Sequence, residues 1–191
     1  NLYPFKKTVE RGSNWDEAIE NIDIGGPSMI RSAAKNHKDV AVLVDPSQYQ
    51  EFLEEINKGR LNESYKAKLA FEAFQHTADY DTAISNWIRE ERDLQSSKYI
   101  KSYSLIKTLR YGENPHQKAF WYGLSNIGWK SAEQLQGKEL SYNNLLDLES
   151  ALSTVLEFGY GEKDELTTEN FTSVILKHNN PCGASTSNSA S

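Results

Sequence analysis

Apolar residues recur at helical spacing through much of the first hundred positions, and start and stop residues punctuate the repeats. Trp15, Ala18, Ile19 and Ile22 follow Asn14, whose side chain suits an N-cap, so residues 14–21 are predicted to form a short helix. Asp23-Ile24-Gly25-Gly26 reads as a loop. Pro27 suits the first turn of a second helix carrying Met29, Ile30, Ala33 and Ala34. Residues 40–44 form a continuous apolar run, the pattern of a buried parallel strand. Residues 46–58 are amphipathic, with Tyr49, Phe52, Leu53 and Ile56 on one face and Gly59 at the end. The longest pattern, over residues 62–93, runs through Leu69, Ala70, Ala73, Phe74, Ala78, Ile84, Trp87 and Ile88. It fits one helix, or two with a break near Thr77.

Residues 94–104 are polar and irregular and read as a linker, and the texture changes after Arg110. Phe120-Trp121-Tyr122 is predicted as a strand, and residues 145–158 as a helix burying Leu145, Leu148, Leu152, Val155 and Leu156. Residues 160–170 read as an exposed acidic loop, and Val174-Ile175-Leu176 as a second buried strand. Leu2-Tyr3-Pro4-Phe5 looks like the exit of another buried strand. No internal repeat is visible. Alternating helices and continuous apolar strands imply α/β layers in both halves, with ligands beyond the carboxyl ends of the strands.

Composition narrows the class. At 38% hydrophobic and 11% aromatic, the 191 residues can build a core, which excludes a disordered chain. Twenty-seven acidic residues against 21 basic ones give a net charge of −6, which argues against a general nucleic-acid or membrane-surface binder. The single cysteine, Cys182, rules out a disulfide within the chain and favours a cytosolic setting. No apolar run approaches the roughly 18 residues of a membrane span, and no signal peptide is visible. The chain starts with Asn1 rather than Met and stops shortly after an apolar strand, so a piece of a longer protein is expected.

Two regions carry candidate chemistry. Gly25 and Gly26 let backbone approach a ligand, and a helix start favours an anion. Ser28, Arg31 and Lys35 then share one helical face that can face a phosphate. The bland alternative is an ordinary Gly-Gly-Pro turn with solvated charges. The second region pairs Arg110-Tyr111-Gly112-Glu113-Asn114-Pro115-His116-Gln117 with Lys177-His178-Asn179-Asn180-Pro181-Cys182-Gly183. Arg110 can grip a phosphate in bidentate fashion, unless the stretch is only a polar interdomain turn. Neighbouring strand residues point to opposite faces, so Lys177 and His178 serve one site only if the strand ends near Leu176 and residues 179–183 turn. Cys182 reads as structural, because nothing nearby except His178 would activate it. His37 fits a cap or the surface, and His76 a structural place in its helix.

These segments, with Ser141-Tyr142-Asn143-Asn144-Leu145-Leu146-Asp147 and Ile22-Asp23-Ile24-Gly25-Gly26-Pro27-Ser28-Met29-Ile30-Arg31-Ser32-Ala33-Ala34-Lys35-Asn36-His37, resemble the bifunctional purine-biosynthesis enzymes that formylate AICAR and close the product to IMP. The resemblance runs from Asn1 to Gly183. It implies that residues 1–105 are the later part of an IMP cyclohydrolase domain with a methylglyoxal-synthase-like (Rossmann-like) fold. Residues 106–191 would open an AICAR transformylase domain of cytidine-deaminase-like fold. By resemblance, Tyr3, Asp23 and Lys35 act in ring closure, with Gly25, Gly26, Ser28 and Arg31 around the substrate. Arg110, Tyr111 and Asn144 help bind AICAR, His178 takes a proton, and Lys177 stabilises charge on the formyl group moved from 10-formyltetrahydrofolate. The ligands implied are AICAR, FAICAR and IMP, with no metal, no nucleic acid and no membrane. The family is homodimeric, with a transformylase site drawn from both subunits. Its cyclohydrolase site also uses a Lys-Thr pair upstream of the matched segment, so these residues are not expected to complete that site. A non-catalytic anion-binding module is the rival reading, since methylglyoxal synthase and the regulatory domain of carbamoyl-phosphate synthetase share the first fold. Neither is expected to continue into the two motifs of the second half. A second rival is a scaffold that kept the fold and lost activity, against which retention of Tyr3, Asp23, Lys35, Lys177 and His178 speaks.

Overall fold

Helical periodicity decides the first hundred residues. In the computed structural model, which describes residues 1–124, 128–159, 171–187 and 189, the unit Asn1–Ser102 holds five helices. They are α1 (Phe5–Glu10), α2 (Trp15–Glu20), α3 (Gly25–Lys35), α4 (Gln48–Asn57) and α5 (Glu63–Glu91). Asn14 caps α2 by accepting the Glu17 N–H at 3.0 Å, and Asn62 caps α5 by accepting the Tyr65 N–H at 2.9 Å. Each side chain satisfies a donor that the helix itself cannot. α5 runs unbroken through Thr77, whose hydroxyl donates to the Phe74 carbonyl at 3.1 Å.

Two apolar clusters hold this unit together. Ile30 and Ala34 of α3 meet Val42, Val44 and the small Ala70 and Ala73 of α5. The small side chains let the two helices approach closely. Phe5, Ala18, Tyr80 and Trp87 form the other cluster. There Trp15 stacks on Trp87 at 4.9 Å, and Phe5 meets Trp87 edge-on at 5.5 Å. Such pairs add about 0.5–1.5 kcal/mol beyond area burial.

Three expectations for this unit change. Residues 40–44 are extended and bury Val42 and Val44, but they pair with no strand among the described residues. An apolar run records burial and not hydrogen bonding, and here helices do the burying. The segment opening at Leu2 leads into α1 rather than leaving a strand. Tyr49, Leu53 and Ile56 of α4 remain exposed. α4 is fastened instead by polar links to α5, Gln48 to Glu72 at 2.5 Å and Lys68 to Glu51 at 2.9 Å.

The unit Tyr103–Ser191 contains β1 (Ser104–Thr108), β2 (Phe120–Gly123), α6 (Tyr142–Gly159), β3 (Phe171–Lys177) and β4 (Asn180–Ser187). β1 pairs antiparallel with β2, and β3 antiparallel with β4. The expected parallel layering is therefore replaced, among the described residues, by two antiparallel pairs with α6 packed on the β3–β4 hairpin. β1 was not foreseen, because Ser104-Leu105-Ile106-Lys107-Thr108 lacks a continuous apolar run. β3 alternates exposed and half-buried positions, and Ile175 is 66% exposed. It is a hairpin strand with one covered face, not a buried strand. Leu152 and Leu156 of α6 are also exposed, since the hairpin covers only one side of that helix. The acidic stretch 160–170 lies outside the described residues.

Candidate functional site

In the first unit, Asp23 is the organising group. Its Oδ1 accepts the Gly26 N–H at 2.7 Å and its Oδ2 accepts the Tyr3 backbone N–H at 3.2 Å. Its own N–H donates to the Tyr80 hydroxyl at 2.9 Å, which donates onward to the Asn21 carbonyl at 3.2 Å. Burial pushes the Tyr80 phenol above its ordinary value, so it stays a donor at neutral pH. The carboxylate thus meets the positive end of α3 from within the chain. Of the two glycine amides expected to meet a ligand anion, the Gly26 N–H already has this partner. Gly26 is required for a different reason than the one expected. A Cβ there would lie 2.5 Å from Asp23 Oδ2 and 2.8 Å from Leu2 Cδ2.

The other first-unit candidates separate. The Ser28 hydroxyl donates to the Ile24 carbonyl at 3.1 Å. The Arg31 guanidinium lies 5.5 Å from the Phe74 ring centroid. Lys35 is exposed in the last turn of α3, about 15 Å along the axis from Gly25. Tyr3 reaches Asp23 through its backbone, and its side chain is exposed. Tyr3 and Asp23 are therefore neighbours, while Lys35 stands at the far end of the helix. His37 acts as a cap, with Nδ1 3.1 Å from the Ala34 carbonyl. His76 has a buried Nε2 without a hydrogen-bond partner.

In the second unit, the first two turns of α6 gather both motifs. Ser141 caps the helix, and Asn144 three residues on reaches back, its Oδ1 accepting the Ser141 N–H and hydroxyl at 3.0 Å each. The Arg110 N–H donates to Leu140 and the Tyr142 N–H to Tyr111, both at 3.1 Å. The Asn143 amide donates to the Glu113 carbonyl at 3.1 Å. Residues 110–117 close on themselves through Gly112 N–H to Gln117 at 2.9 Å. The Arg110 guanidinium lies 4.8 Å from the Tyr111 ring centroid and donates to its hydroxyl at 3.2 Å.

One turn further along α6, Asp147 Oδ1 accepts the Asn179 N–H at 2.9 Å. Asn179 and His178 are the two central residues of the β3–β4 turn, with φ of +62° and +54°. A two-residue hairpin turn with both angles positive matches the twist of its strands. For residues with a Cβ this conformation costs roughly 1–2 kcal/mol each. The turn therefore sits at 178–179, and not at 179–183 as expected. Asn180 and Pro181 already belong to β4, and Cys182 is an exposed extra residue in its ladder. β3 does not end at Leu176 but continues through Lys177, on the exposed face. His178 lies in the turn itself, and Lys177 is the strand residue just before it.

Two hollows flank the first half of α6. One, of about 590 Å³, is lined by Arg110, Lys138, Asn144, Asp147, Val174 and Leu176 among others. The other, of about 330 Å³, is lined by Glu113, Tyr142, Asn143, Leu146, Asp147, His178 and Asn179. Asp147 borders both. Arg110 and Asn144 thus share a hollow in which Arg110 and Lys138 are balanced by Glu139 and Asp147, and His178 stands in the adjoining one with Glu113 and Asp147. Lys177 lines neither.

A family model described as AICARFT/IMPCHase bienzyme matches residues 33–191. The chain belongs to that family. It is 88% identical over its 191 residues to the bifunctional purine biosynthesis protein PurH of Prochlorococcus marinus subsp. pastoris (strain CCMP1986 / NIES-2087 / MED4). Identity to the protein of the same name is 86% in strain MIT 9301 and 55% in strain MIT 9211. Each alignment covers all of this chain and 37% of the relative's length. The bienzyme match includes both motifs and α6, and the PurH relatives also cover Tyr3 to Arg31.

Within this bienzyme segment, Ser141 and Asp147 were not among the residues singled out for a role. Ser141 is fully buried and sets the start of α6. A Ser followed three residues later by an amide side chain is a legible capping signal. The bond from Asp147 to a residue 32 positions away leaves no local trace in the sequence. Among the described residues, no group of three or more His, Cys, Asp or Glu side chains is placed to hold a metal ion. No helix among them is long and apolar enough to cross a membrane.

Proposed function

We propose that the chain is a segment of an enzyme of IMP synthesis that formylates AICAR with 10-formyltetrahydrofolate and then closes FAICAR to IMP with loss of water. The observation that carries this reading is the 88% identity, over every residue of the chain, to a protein named for bifunctional purine biosynthesis. Residues 1–105 are assigned to the cyclohydrolase domain, with a methylglyoxal-synthase-like fold. Residues 106–191 are assigned to the opening of a cytidine-deaminase-like transformylase domain. The full protein is assigned to the cytosol and to a homodimer. The segment alone is expected to turn over neither substrate, since it spans 37% of its relatives' length.

In formyl transfer the 5-amino nitrogen of AICAR attacks the formyl carbon, the bond from that carbon to N10 of the folate breaks, and N10 takes up a proton as tetrahydrofolate leaves. An aromatic amine is a weak nucleophile, so a histidine near neutral pKa that accepts its proton lowers the barrier. His178 is given that role. Arg110 is given the phosphate, and Tyr111 and Asn144 the remainder of AICAR. The shared hollow of Arg110 and Asn144, beside that of His178, supports this division. Lys177 is assigned to the developing oxygen charge on family resemblance alone, because its face of β3 is turned away from α6. Ring closure is assigned to Tyr3, Asp23 and Lys35, with Gly25, Gly26, Ser28 and Arg31 near the substrate. Contact between Tyr3 and Asp23 supports that pair.

Arg110→Ala in the full-length enzyme tests the binding half of this reading. The KM for AICAR in formyl transfer is expected to rise about 10- to 100-fold, the value of a hydrogen bond to a charged group. An unchanged KM would remove Arg110 from the site.

A further inference from the structure

Both motifs of the second unit hang on one face of α6. Asn143 and Asp147 are four residues apart, so their side chains are neighbours on that face. Asn143 holds the backbone of the first motif at Glu113, and Asp147 holds the backbone of the second at Asn179. The second bond has more to do than the first. The turn it grips has two consecutive non-glycine residues at positive φ, a conformation that persists only where surrounding contacts hold it. His178 is one of these two residues, and its neighbour is the donor to Asp147. Asp147 also borders both hollows, the one that His178 lines and the one that Arg110 and Asn144 line.

We propose that Asp147 is a positioning residue for formyl transfer, whose bond to the Asn179 amide fixes the left-handed turn that presents His178 beside the Arg110–Asn144 hollow. This rests on the reading of His178 as the proton acceptor. Asp147 itself exchanges no proton with substrate. It acts by keeping His178 within the distance over which proton transfer is efficient, and a displacement of about 1 Å can lower a rate about 100-fold.

The test uses the full-length enzyme carrying this segment, with formyl transfer and FAICAR cyclisation measured separately. Asp147→Ala is expected to lower kcat of formyl transfer about 10- to 100-fold. The KM for AICAR should change less than about threefold, and cyclisation should be unaffected. Asp147→Asn keeps an oxygen that accepts the Asn179 N–H, so it should recover most of that kcat. In an Asn179→Gly background, where His178 alone of the two turn residues still carries a Cβ at positive φ, Asp147→Ala should cost less. Hydrogen exchange at the Asn179 amide should quicken in Asp147→Ala and not in Asp147→Asn.

Near-normal kcat in Asp147→Ala would overturn the proposal, and so would failure of Asp147→Asn to rescue it. If Asp147→Ala loses both half-reactions through misfolding, Asp147→Asn decides alone: protected Asn179 amide with retained kcat supports the tether, and protected amide with lost kcat overturns it. His178→Ala separates this from the parent reading. Full formyl transfer in His178→Ala sinks the parent reading. A dead His178→Ala beside a healthy Asp147→Ala sinks only the tether.

Discussion

Gly26 shows how one position can be required without touching a ligand. An added methyl would fall 2.5 Å from Asp23 Oδ2 and 2.8 Å from Leu2 Cδ2, whereas at Gly25 it would meet nothing within 4 Å. Helix propensity favours Ala over Gly at both, by roughly 1 kcal/mol at most. Crowding outweighs that at Gly26 alone. Gly26→Ala is expected to lower the unfolding free energy by about 1–2 kcal/mol, and Gly25→Ala to stay within about 0.5 kcal/mol, read by urea denaturation. The glycine pair was visible in the sequence, but the reason for it was not. The partners of Gly26 are Asp23, three residues away, and Leu2, which no local pattern links to it. The same holds for Asp147, whose partner Asn179 is distant in sequence. Arg110, Tyr111, Asn144 and His178 are singled out through the family resemblance of their motifs, while the bond from Asp147 to the turn that holds His178 has no local signal at all.

Elements were legible where side-chain periodicity and caps agree. Asn14 and Asn62 mark the starts of α2 and α5 as expected, and α5 needs no break at Thr77. Asn62→Ala removes one capping bond from the longest helix, so the unfolding free energy should fall by about 1 kcal/mol in thermal or urea melts. Strands were read less well. Residues 40–44 carry the apolar content of a strand without a pairing partner among the described residues, and residues 174–176 lie on a hairpin exposed on one face. Pairing is decided by distant chain, so composition alone assigned both segments to parallel layers. The hairpin turn was misplaced for a related reason. His-Asn is not the usual Asn-Gly or Asp-Gly of such a turn, and Pro181 and Gly183 offered a stronger local signal two residues later.

At the scale of the whole molecule, acidic residues outnumber basic ones, and some of them are held in specific ion pairs. Lys6 bonds Asp79 and so ties α1 to α5. Burial pushes the Asp79 carboxyl up, but bonds from Lys6 and Ser102 outweigh it and hold the group below its ordinary value. A depressed carboxylate contributes stability that is complete above the unfolded pKa, near 4, and is lost as pH falls through the folded value. Asp79→Asn should therefore lower the melting temperature of the protein modestly at pH 6. The gap to wild type should close as pH is taken toward 3, followed by circular dichroism. The pair is partly exposed, so added salt should also narrow the gap.

The central claim is that α6 assembles a formyl-transfer site in which His178 takes the proton of the AICAR amine. The measurement closest to it is steady-state assay of both half-reactions in the full-length protein carrying His178→Ala. Loss of a general base is expected to lower kcat of formyl transfer by about 10²–10⁴-fold while FAICAR cyclisation proceeds at the wild-type rate. Formyl transfer at the wild-type rate, or equal loss of both reactions, would contradict it.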